Sequence, residues 1–354
     1  FHESAKAIDD FIINNLSQIY IPITRGELWD EDEEKKNRRL AIYSVLDKVL
    51  KTLDILIHPF CPFTSEYLYQ TVFDGEQSIL LDKWPQPQES LNNEKIEESF
   101  DIMKDVVSIS SAARMKGKLK RRWPLNEAQI CVKKDQKIKL ESLSTLLQSQ
   151  LNVEKFSIVE TKGNSGLDQI IELKQLGLPV KPVIELERKK IGPKAKQHMG
   201  KLVAMFNETD PEVISSSLQK DGKYDFDIDG ETISLDTEDF VVDFDAGENF
   251  AMAKRDDYIV FISTARNKEL MAKGLIKDIA RRLQTLRKER GYNPTDVLET
   301  ASILDLDEES LEMIKEKTKD LSFLVRVKQI NFVESCKEYK DDDIDGQKIR
   351  ISVE

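Results

Sequence analysis

Cysteine and histidine are scarce in this chain of 354 residues, which has three of each. Cys61, Cys131 and Cys336 lie far apart and form no C-x-x-C pair, which argues against a zinc ribbon and for reduced thiols in a cytosol. No apolar run approaches the roughly 18 residues of a membrane span, and the N-terminus lacks a secretory pattern. We therefore expect a soluble, cytoplasmic protein without a membrane partner.

Sequence signatures of catalytic sites are missing as well. The chain contains no G-x-S-x-G, G-x-x-x-x-G-K-S/T or G-x-G-x-x-G motif, and His2, His58 and His198 stand apart without a catalytic or metal-binding pattern. The sequence therefore predicts no catalytic residue, no cofactor site and no metal site. It begins at Phe1 directly in a helical pattern, which suggests a piece of a longer protein.

The composition is that of a folded protein with several domains. Hydrophobic residues make up 40% and charged residues 33%, which excludes a disordered or collagen-like chain. At roughly 150 residues per domain, the length predicts two to three domains. The net charge is −12, from 53 basic and 65 acidic residues.

Hydrophobic periodicity predicts a helical first third. Apolar residues recur every three or four positions through residues 8–57, and after a break with two prolines a shorter helix begins with Thr64 or Ser65 as its N-cap. A further helix ends near Gly117, a residue suited to a left-handed helix end. We predict an all-α antiparallel bundle over residues 1–122.

The pattern then alternates between strands and helices. Strands are predicted at residues 128–132 and 153–159 around a helix at 140–151, and together they form a small α/β junction over residues 123–165. Residues 166–354 are predicted to form an α+β C-terminal region.

Three helices are predicted within this C-terminal region. One begins near Pro193 and another at Pro211 behind the cap Asp210, because proline suits the first turn of a helix. The third runs from Asn267 to Arg290 and stops at Gly291, with Pro294 beyond. Its apolar stripe is Leu275, Ile279, Leu283 and Leu286, and a second face with Lys277, Arg281 and Lys288 meets either solvent or RNA.

Cations are gathered into two short blocks although the chain is acidic overall. Residues 114–125 carry six basic residues and no acid, and residues 188–201 carry six more, whereas residues 221–248 hold eleven acids and one lysine. Such a chain can attract a polyanion at a few places while the remainder repels it. The alternative is that both blocks are solvated faces.

One acidic segment invites comparison with a calcium loop. Asp225, Asp227, Asp229 and Gly230 fit the D-x-D-x-D-G start of an EF-hand loop. The flanking residues alternate like strands, however, and Asp-Gly is the pair that a type I′ hairpin prefers. We therefore predict a two-residue hairpin here, and another at the similar residues 343–346.

Three segments of the helical part resemble markers of a known family. IYIP at residues 19–22 with RGELW at residues 25–29 is similar to the Y-I … R-x-x-L-W segment in the helical anticodon-binding domain of class I aminoacyl-tRNA synthetases for branched aliphatic amino acids. HPFCPFTSEYLYQ at residues 58–70 resembles the next marker of that group, and LDKWP at residues 81–85 its usual sequel. The resemblance implies a bundle of the class Ia anticodon-binding type.

A fourth segment resembles isoleucyl-tRNA synthetases in particular. AARMKGKLKRRWPL at residues 112–125 is similar to their A-R … l-k-x-R-x-P-L junction, and IGPK at residues 191–194 resembles part of their C-terminal region, as do residues 274–288. Bacterial members carry a C-terminal zinc bound by cysteines. Because this chain has no cysteine cluster, the archaeal or eukaryotic type is implied.

The resemblance implies the C-terminal part of a ligase that recognises the anticodon region of isoleucine tRNA. The H-I-G-H and K-M-S-K-S motifs and the editing domain are missing. ATP and magnesium are therefore expected in the absent catalytic domain, and this piece should be inactive alone. Expected partners are the tRNA(Ile) anticodon stem-loop and the missing catalytic and editing domains. The alternatives are a valine-specific relative, whose usual C-terminal coiled coil has no counterpart here, and a non-catalytic protein-interaction scaffold.

Unpaired anticodon bases are read by stacking on aromatic or guanidinium planes while cations hold the phosphates. For Trp123 the alternative is burial at a domain junction, and for Arg25 and Trp29 it is packing in the bundle and pairing with a nearby acid. The predicted RNA-binding residues are Arg25, Trp29, Arg114, Lys116, Lys118, Lys120, Arg121, Arg122, Trp123, Lys189, Lys190 and Lys194.

Overall fold

The computed structural model of the chain forms two compact units, Phe1–Glu94 and Lys95–Glu354. None of the described helices is long and apolar enough to cross a membrane. Trp29, Pro294, Cys336 and the second predicted hairpin turn at residues 345–346 lie outside the described residues. The structure describes residues 1–28, 32–73, 77–293, 295–333, 335, 338–344 and 347–354.

The first unit is helical, as its periodicity predicts. Ile42 and Leu53 are buried inside it, on the longest of its helices. A continuous helical run occupies residues 2–28, and short 3-10 turns lie at Glu33–Lys35, Ile79–Leu81 and Glu89–Leu91. The helical elements are α1 (His2–Asp10), a π-helical segment (Phe11–Tyr20), α2 (Ile21–Leu28), α3 (Lys36–Ile57) and α4 (Pro62–Val72).

The predicted N-cap of α4 is wrong by one turn. The helix begins at Pro62, which suits this place because the first turn of a helix needs no N–H from it. Ser65 therefore lies inside the helix, fully buried, where its hydroxyl meets Nδ1 of His58 at 2.8 Å and donates to the Cys61 carbonyl. His58 thus has a structural hydrogen bond, as expected for an isolated histidine.

The second unit begins with a long helix followed by a four-stranded sheet. The predicted single helix at residues 140–151 is two helices, which turn at Ser142 and Leu143 so that Leu140, Leu147 and Leu151 are all buried in one core. The sheet has the order β2-β1-β8-β7, with β1 and β2 parallel and the other pairs antiparallel. Its elements are α5 (Glu94–Lys116), β1 (Leu125–Val132), α6 (Lys134–Glu141), α7 (Ser144–Leu151), β2 (Val153–Glu160), β7 (Phe250–Arg255) and β8 (Tyr258–Ser263).

An inserted module separates β2 from β7. It contains two two-stranded antiparallel sheets, β3-β6 and β4-β5. Asp229 and Gly230 both have positive φ, at 55° and 86°, which confirms the predicted type I′ hairpin between β4 and β5. Pro193 lies inside a helix that begins at Arg188, so its predicted place at the helix start is wrong. The module comprises α8 (Gly166–Gln175), β3 (Val180–Leu186), α9 (Arg188–Ala195), α10 (Met199–Glu208), α11 (Pro211–Asp221), β4 (Lys223–Ile228), β5 (Glu231–Asp236) and β6 (Phe240–Ala246).

The first sheet is covered on both faces. Helices α5 to α7 pack on one face, and α8, β3 and β6 of the inserted module pack on the other. Cys131 and Phe261 are fully buried under the module, and burial raises the pKa of the Cys131 thiol to about 12. Because both faces are covered, β8 is a continuous apolar strand rather than an alternating one.

A second four-stranded sheet completes the chain, with the order β10-β9-β12-β11. Its long helix starts after Asn267, whose Oδ1 accepts the Leu270 N–H at 2.7 Å, and its predicted apolar stripe from Leu275 to Leu286 is buried. The elements are α12 (Lys268–Glu289), β9 (Leu298–Leu304), α13 (Glu308–Lys315), α14 (Thr318–Val325), β10 (Val327–Phe332), β11 (Lys340–Ile344) and β12 (Gln347–Val353).

The two sheets are built by the same succession of elements. In each, a long helix leads into a strand, two short helices, a parallel strand and an antiparallel hairpin. We call residues 95–160 with 250–263 the first repeat, and residues 268–332 with 340–353 the second repeat. The inserted module, residues 161–249, occupies the position that residues 333–339 occupy in the second repeat. The second unit is therefore an internal structural duplication with one insertion.

A buried arginine occupies the same place in both repeats. Arg114 is 4% exposed near the end of α5, and Arg287 is 5% exposed near the end of α12. Each guanidinium donates to four backbone carbonyls that lie in the loop after its helix and at the end of the second short helix. The acceptors of Arg114 are Lys120 (3.1 Å), Trp123 (2.9 Å), Leu151 (2.8 Å) and Asn152 (3.0 Å), and those of Arg287 are Asn293 (3.3 Å), Asp296 (2.6 Å), Val325 and Arg326 (3.0 Å).

We expect Arg114→Met to lower the free energy of unfolding by about 3 kcal/mol, because four carbonyls lose their donor in a buried place. Arg114→Lys should lose nearly as much, since an ammonium cannot reproduce the planar set of guanidinium donors. Urea unfolding followed by circular dichroism measures both. Lys116→Met, an exposed change two residues later, is the control and should alter stability by less than about 0.5 kcal/mol. Equal effects at residues 114 and 116 would contradict the role of the buried guanidinium.

Candidate nucleic-acid interface

The first basic block forms a loop at the end of α5. We call residues 116–123 the basic loop. Its left-handed residue is Lys118, with φ 52°, and not Gly117 as predicted. Gly117 serves a different purpose, because a Cβ there would lie 2.9 Å from Cβ of Ala251. The corresponding left-handed residue of the second repeat is Gly291, with φ 81°, as its helix-stop signature predicts.

Trp123 packs against α12 at the end of the basic loop. Its indole is half-buried over Gly274, and Nε1 donates to Oδ2 of Asp278 at 2.8 Å. Lys120 Nζ and the Arg266 guanidinium lie over the ring, 5.1 and 5.5 Å from its centroid. The indole thus connects the two repeats, in agreement with the alternative of burial at a junction.

Asp278 is the acid around which the basic loop is arranged. It is 3% exposed, and besides the indole it meets Lys120 Nζ at 3.2 Å and Arg122 NH1 at 3.7 Å. Burial acts to raise the pKa of this carboxyl, but the hydrogen bonds from Trp123 and Lys120, together with the charges of Lys120 and Arg282, more than offset it, so the pKa lies below its usual range. Asp278 is therefore a carboxylate at neutral pH.

The remaining cations of the basic loop make no ion pair or hydrogen bond with this acid. Lys116, Lys118 and Arg121 are exposed, and their side chains make no hydrogen bond or ion pair with any described residue. We call these three the outward cations. They are the groups in the loop whose charge is available to an anionic partner.

A cleft of about 530 Å³ opens beside the basic loop, between α7, β2, α12 and α14. Asn152 and Lys277 line it, with Lys277 Nζ donating to Oδ1 of Asn152 at 3.1 Å. The Lys277 side chain is exposed, but its ammonium is held among protein atoms and near Arg114, and both effects lower its pKa. The cleft also contains Glu154, which pairs with Lys273 at 2.8 Å.

Arg114 is separated from the other cations of its block. Its guanidinium is buried among four carbonyls, and burial with the neighbouring charge of Arg121 lowers its pKa to about 10. Arg287 has the same surroundings in a repeat whose loop, residues 290–296, carries a single cation. The burial of Arg114 is thus explained by the fold, and we do not carry this residue into the proposed interface.

The second basic block begins on α9, and half of its six cations are paired with acids. Lys190 meets Glu238 at 3.4 Å, and Lys194 meets Asp236 at 2.9 Å and also Asp239. Lys201, on α10, meets Asp229 at 2.6 Å.

The other half of this block has no acid as a partner among the described residues. Within the part of the chain that the structure describes, three exposed cations make no ion pair: Arg188, Lys189 and Lys196. The acidic block of the sequence thus neutralises only part of this face.

The remaining candidates lie in the first unit. Arg25 is exposed on α2 and has no ion pair with a described residue, while the neighbouring Glu27 pairs with Arg38. Trp29 lies outside the described residues. The predictions that these two residues bind RNA therefore remain predictions.

Three functional neighbours of the basic loop were not found in the sequence. Asp278 meets Trp123 from the second repeat, Arg266 meets it from the segment between the two repeats, and Asn152 holds the loop from the residue after α7. Only Asp278 has a signal in the sequence, which is its spacing from a buried arginine. It stands nine residues before Arg287, as Asp105 stands nine residues before Arg114. The duplication had to be recognised first.

We expect Gly274→Ala to cost about 1–3 kcal/mol of stability, because a Cβ would lie 2.4 Å from Cδ2 of Trp123 and the indole must move. Tryptophan fluorescence during urea unfolding checks both the stability and the ring environment. Gly200→Ala on α10, which has open space around its Cα, is the matched control and should be neutral or slightly stabilising. An unchanged emission spectrum in Gly274→Ala would contradict the packing.

The lowered pKa of Asp278 predicts a pH dependence of stability. A carboxyl with a folded pKa below its unfolded value of about 3.9 contributes stability that is present above the unfolded pKa and is lost as the pH falls through the folded pKa. Asp278→Asn should therefore flatten the loss of stability below about pH 4. Acid titration at fixed urea measures this slope. Asp135→Asn, at an exposed residue of α6, should leave the wild-type profile unchanged.

Comparisons with known proteins agree with the motifs. Residues 1–130 match the model of a family described as the anticodon-binding domain of tRNA ligase. The chain is 30% identical over 324 residues to an isoleucine–tRNA ligase of Methanocella arvoryzae. The matched residues make up 89% of this chain and 28% of that protein. It is 28% identical to isoleucine–tRNA ligases of Sulfolobus acidocaldarius and Pyrococcus furiosus, over 84% and 94% of this chain.

These relatives are much longer than the chain, which spans 27% of the Sulfolobus protein and 29% of the Pyrococcus protein. The matches nevertheless cover both the helical unit and most of the duplicated unit. They confirm the resemblance drawn from the motifs: the chain is related to the isoleucine–tRNA ligases of archaea and carries the anticodon-binding domain of tRNA ligase in residues 1–130.

Proposed function

We propose that this chain is the tRNA-binding C-terminal part of an isoleucine–tRNA ligase, and that it recognises the anticodon stem-loop of isoleucine tRNA. The observation that carries the proposal is the basic loop, which presents three cations without an ion-pair partner among the described residues, from a chain whose net charge is −12. An acidic chain repels RNA over most of its surface. Exposed cations at one fixed place therefore favour one docking orientation.

The whole ligase would combine this part with domains that lie elsewhere. In this proposal the catalytic domain binds ATP and magnesium and carries out the aminoacylation, an editing domain accompanies it, and the enzyme works in the cytoplasm. The helices of the first unit would form the antiparallel bundle of class Ia anticodon-binding domains. No observation favours the valine-specific relative or the protein-interaction scaffold.

The outward cations are suited to RNA phosphates by chemistry and by placement. Lys116 is the last residue of α5 and Lys118 has a left-handed backbone, and both side chains are exposed. Arg121 supplies a planar guanidinium that can bond a phosphate through two N–H groups or stack on an unpaired base. Lys189 and Arg25 are further exposed cations, and in this proposal they contribute less to the affinity for RNA than the outward cations do.

Binding of tRNA(Ile) transcripts to the 354-residue chain at several salt concentrations tests the proposal. Three or more phosphate contacts to a single-stranded loop predict a slope of log affinity against log salt of about −2 or steeper. The double reversal Lys118→Glu and Arg121→Glu should weaken binding by about tenfold or more.

The matched control is the double reversal Lys181→Glu and Lys220→Glu, which changes the net charge equally at exposed residues of the inserted module. It should weaken binding by much less. A tRNA(Ile) whose anticodon loop is scrambled, and a tRNA(Val), report on specificity. Equal affinity for all three RNAs would contradict anticodon recognition, and equal effects of both double reversals would contradict the role of the basic loop.

A further inference from the structure

We infer that Asp278 is a positioning residue that divides the cations of the basic loop into two sets. Lys120 and Arg122, with Trp123, are held against α12 by its carboxylate, and the outward cations Lys116, Lys118 and Arg121 are thereby turned toward RNA. This inference rests on the proposed function for the identity of the partner. It adds which cations touch the RNA and which residue arranges them.

The carboxylate of Asp278 has a rigid support. Its neighbours on the buried stripe of α12, Leu275 and Ile279, are 6% and 0% exposed. Its own backbone carbonyl accepts a hydrogen bond from NH1 of Arg282 at 3.2 Å. A side chain on such a helix cannot follow the loop, so the side chains of Lys120, Arg122 and Trp123 take their places from Asp278.

The backbone of the basic loop is fixed from the opposite side. Arg114 donates to the carbonyls of Lys120 and Trp123, at 3.1 and 2.9 Å. Nδ2 of Asn152 donates to the two carbonyls between them, those of Arg121 and Arg122, at 3.2 and 3.1 Å. Each carbonyl from residue 120 to 123 therefore has a side-chain donor. A loop held in this way loses little conformational entropy when it binds, which favours affinity and a single geometry.

The second repeat shows which part of this arrangement is additional. Arg287 holds the carbonyls of Asn293 and Asp296 in the corresponding loop, so the buried arginine belongs to the shared scaffold. Asp296, however, stands where the first repeat has Trp123, and the one cation of residues 290–296, Arg290, donates to the Val353 carbonyl. The indole and the two cations that meet the buried carboxylate of Asp278 thus occur in the loop of the first repeat and not in the corresponding loop of the second. They are an addition to a loop whose backbone the shared scaffold already fixes.

Removal of cations in pairs tests the division. Each phosphate contact to a single strand contributes about 0.7 to the salt slope, so Lys118→Met with Arg121→Met should make the slope of tRNA(Ile) binding shallower by about 1.4. Lys120→Met with Arg122→Met removes the same charge from adjacent residues and should leave the slope unchanged. Equal changes in slope for the two pairs would overturn the inference, while salt-dependent binding of the wild-type chain would leave the proposed function standing.

Asp278→Asn supplies a readout that a merely structural residue would not produce. The amide still accepts the indole N–H, but Lys120 and Arg122 lose their counter-charge. The slope of log affinity against log salt should then become steeper, because both released cations can contact phosphates. The ratio of the affinities for tRNA(Ile) and for the transcript with a scrambled anticodon loop should fall. Asp105→Asn, at the corresponding position of α5, is the matched control and should change neither quantity. A slope that stays the same or becomes shallower in Asp278→Asn contradicts the positioning role.

Proteolysis tests the same role without RNA. Trypsin cuts after lysine and arginine, so limited digestion should cut residues 116–122 faster in Asp278→Asn than in the wild-type chain or in Asp105→Asn. If the loop is released but the wild-type chain binds no RNA, the positioning role is supported and the proposed function is wrong. If digestion of the loop is the same in all three proteins, the positioning role is wrong whatever the RNA measurement gives.

Discussion

The four hydrogen bonds of one buried guanidinium determine how each repeat is closed. In both copies the arginine near the end of the long helix joins the following loop to the end of the second short helix. The residue after that short helix is left-handed, and it is Asn152 in the first repeat and Arg326 in the second. The carbonyl of that residue also accepts the first N–H of the central strand, at 3.1 Å in both repeats. The long helix, the loop and the parallel strands of each repeat are therefore held in the same arrangement, and this arrangement determines where the loop lies on the surface.

This constraint also explains how an acidic chain can present a cationic surface. Acids outnumber cations, and half of the cations in the second basic block are paired with acids of the same module. In the basic loop a single acid, Asp278, serves two cations and an indole, so the loop keeps a surplus of positive charge. The position of that surplus is decided by packing, because both the acid and the loop backbone are held by buried groups.

Periodicity and turn chemistry predicted most of the elements. The helical first unit, the strands β1 and β2, the hairpin at Asp229-Gly230 and the late helix with its buried stripe were all accessible from the sequence, because each depends on local spacing. The errors at Pro193, Ser65 and Gly117 share one cause, which is that tertiary contacts moved a boundary or a conformation by a few residues. A resemblance of motifs identified the family, and no composition argument could have done so.

The site was only partly predictable for a related reason. The cations of residues 114–122 stand together in sequence. Whether each one faces solvent, a carboxylate or a carbonyl depends on residues about 30 to 160 positions away, namely Leu151, Asn152 and Asp278. Sequence reasoning treated the block as uniform. The structure separates it into a buried arginine, a pair held by Asp278 and three outward cations.

The inserted module has a consequence for the order in which the two sheets assemble. In the first repeat β1 meets β8 through pairs such as Ala128 with Ile262, whereas in the second β9 meets β12 through pairs such as Ala301 with Val353. The first pairing encloses more than twice as much chain, and closing a longer loop costs more entropy and slows folding. Although it leaves the ribosome last, the second sheet thus has the shorter path to its native pairing, and the earlier sheet must wait for its intervening segment to fold.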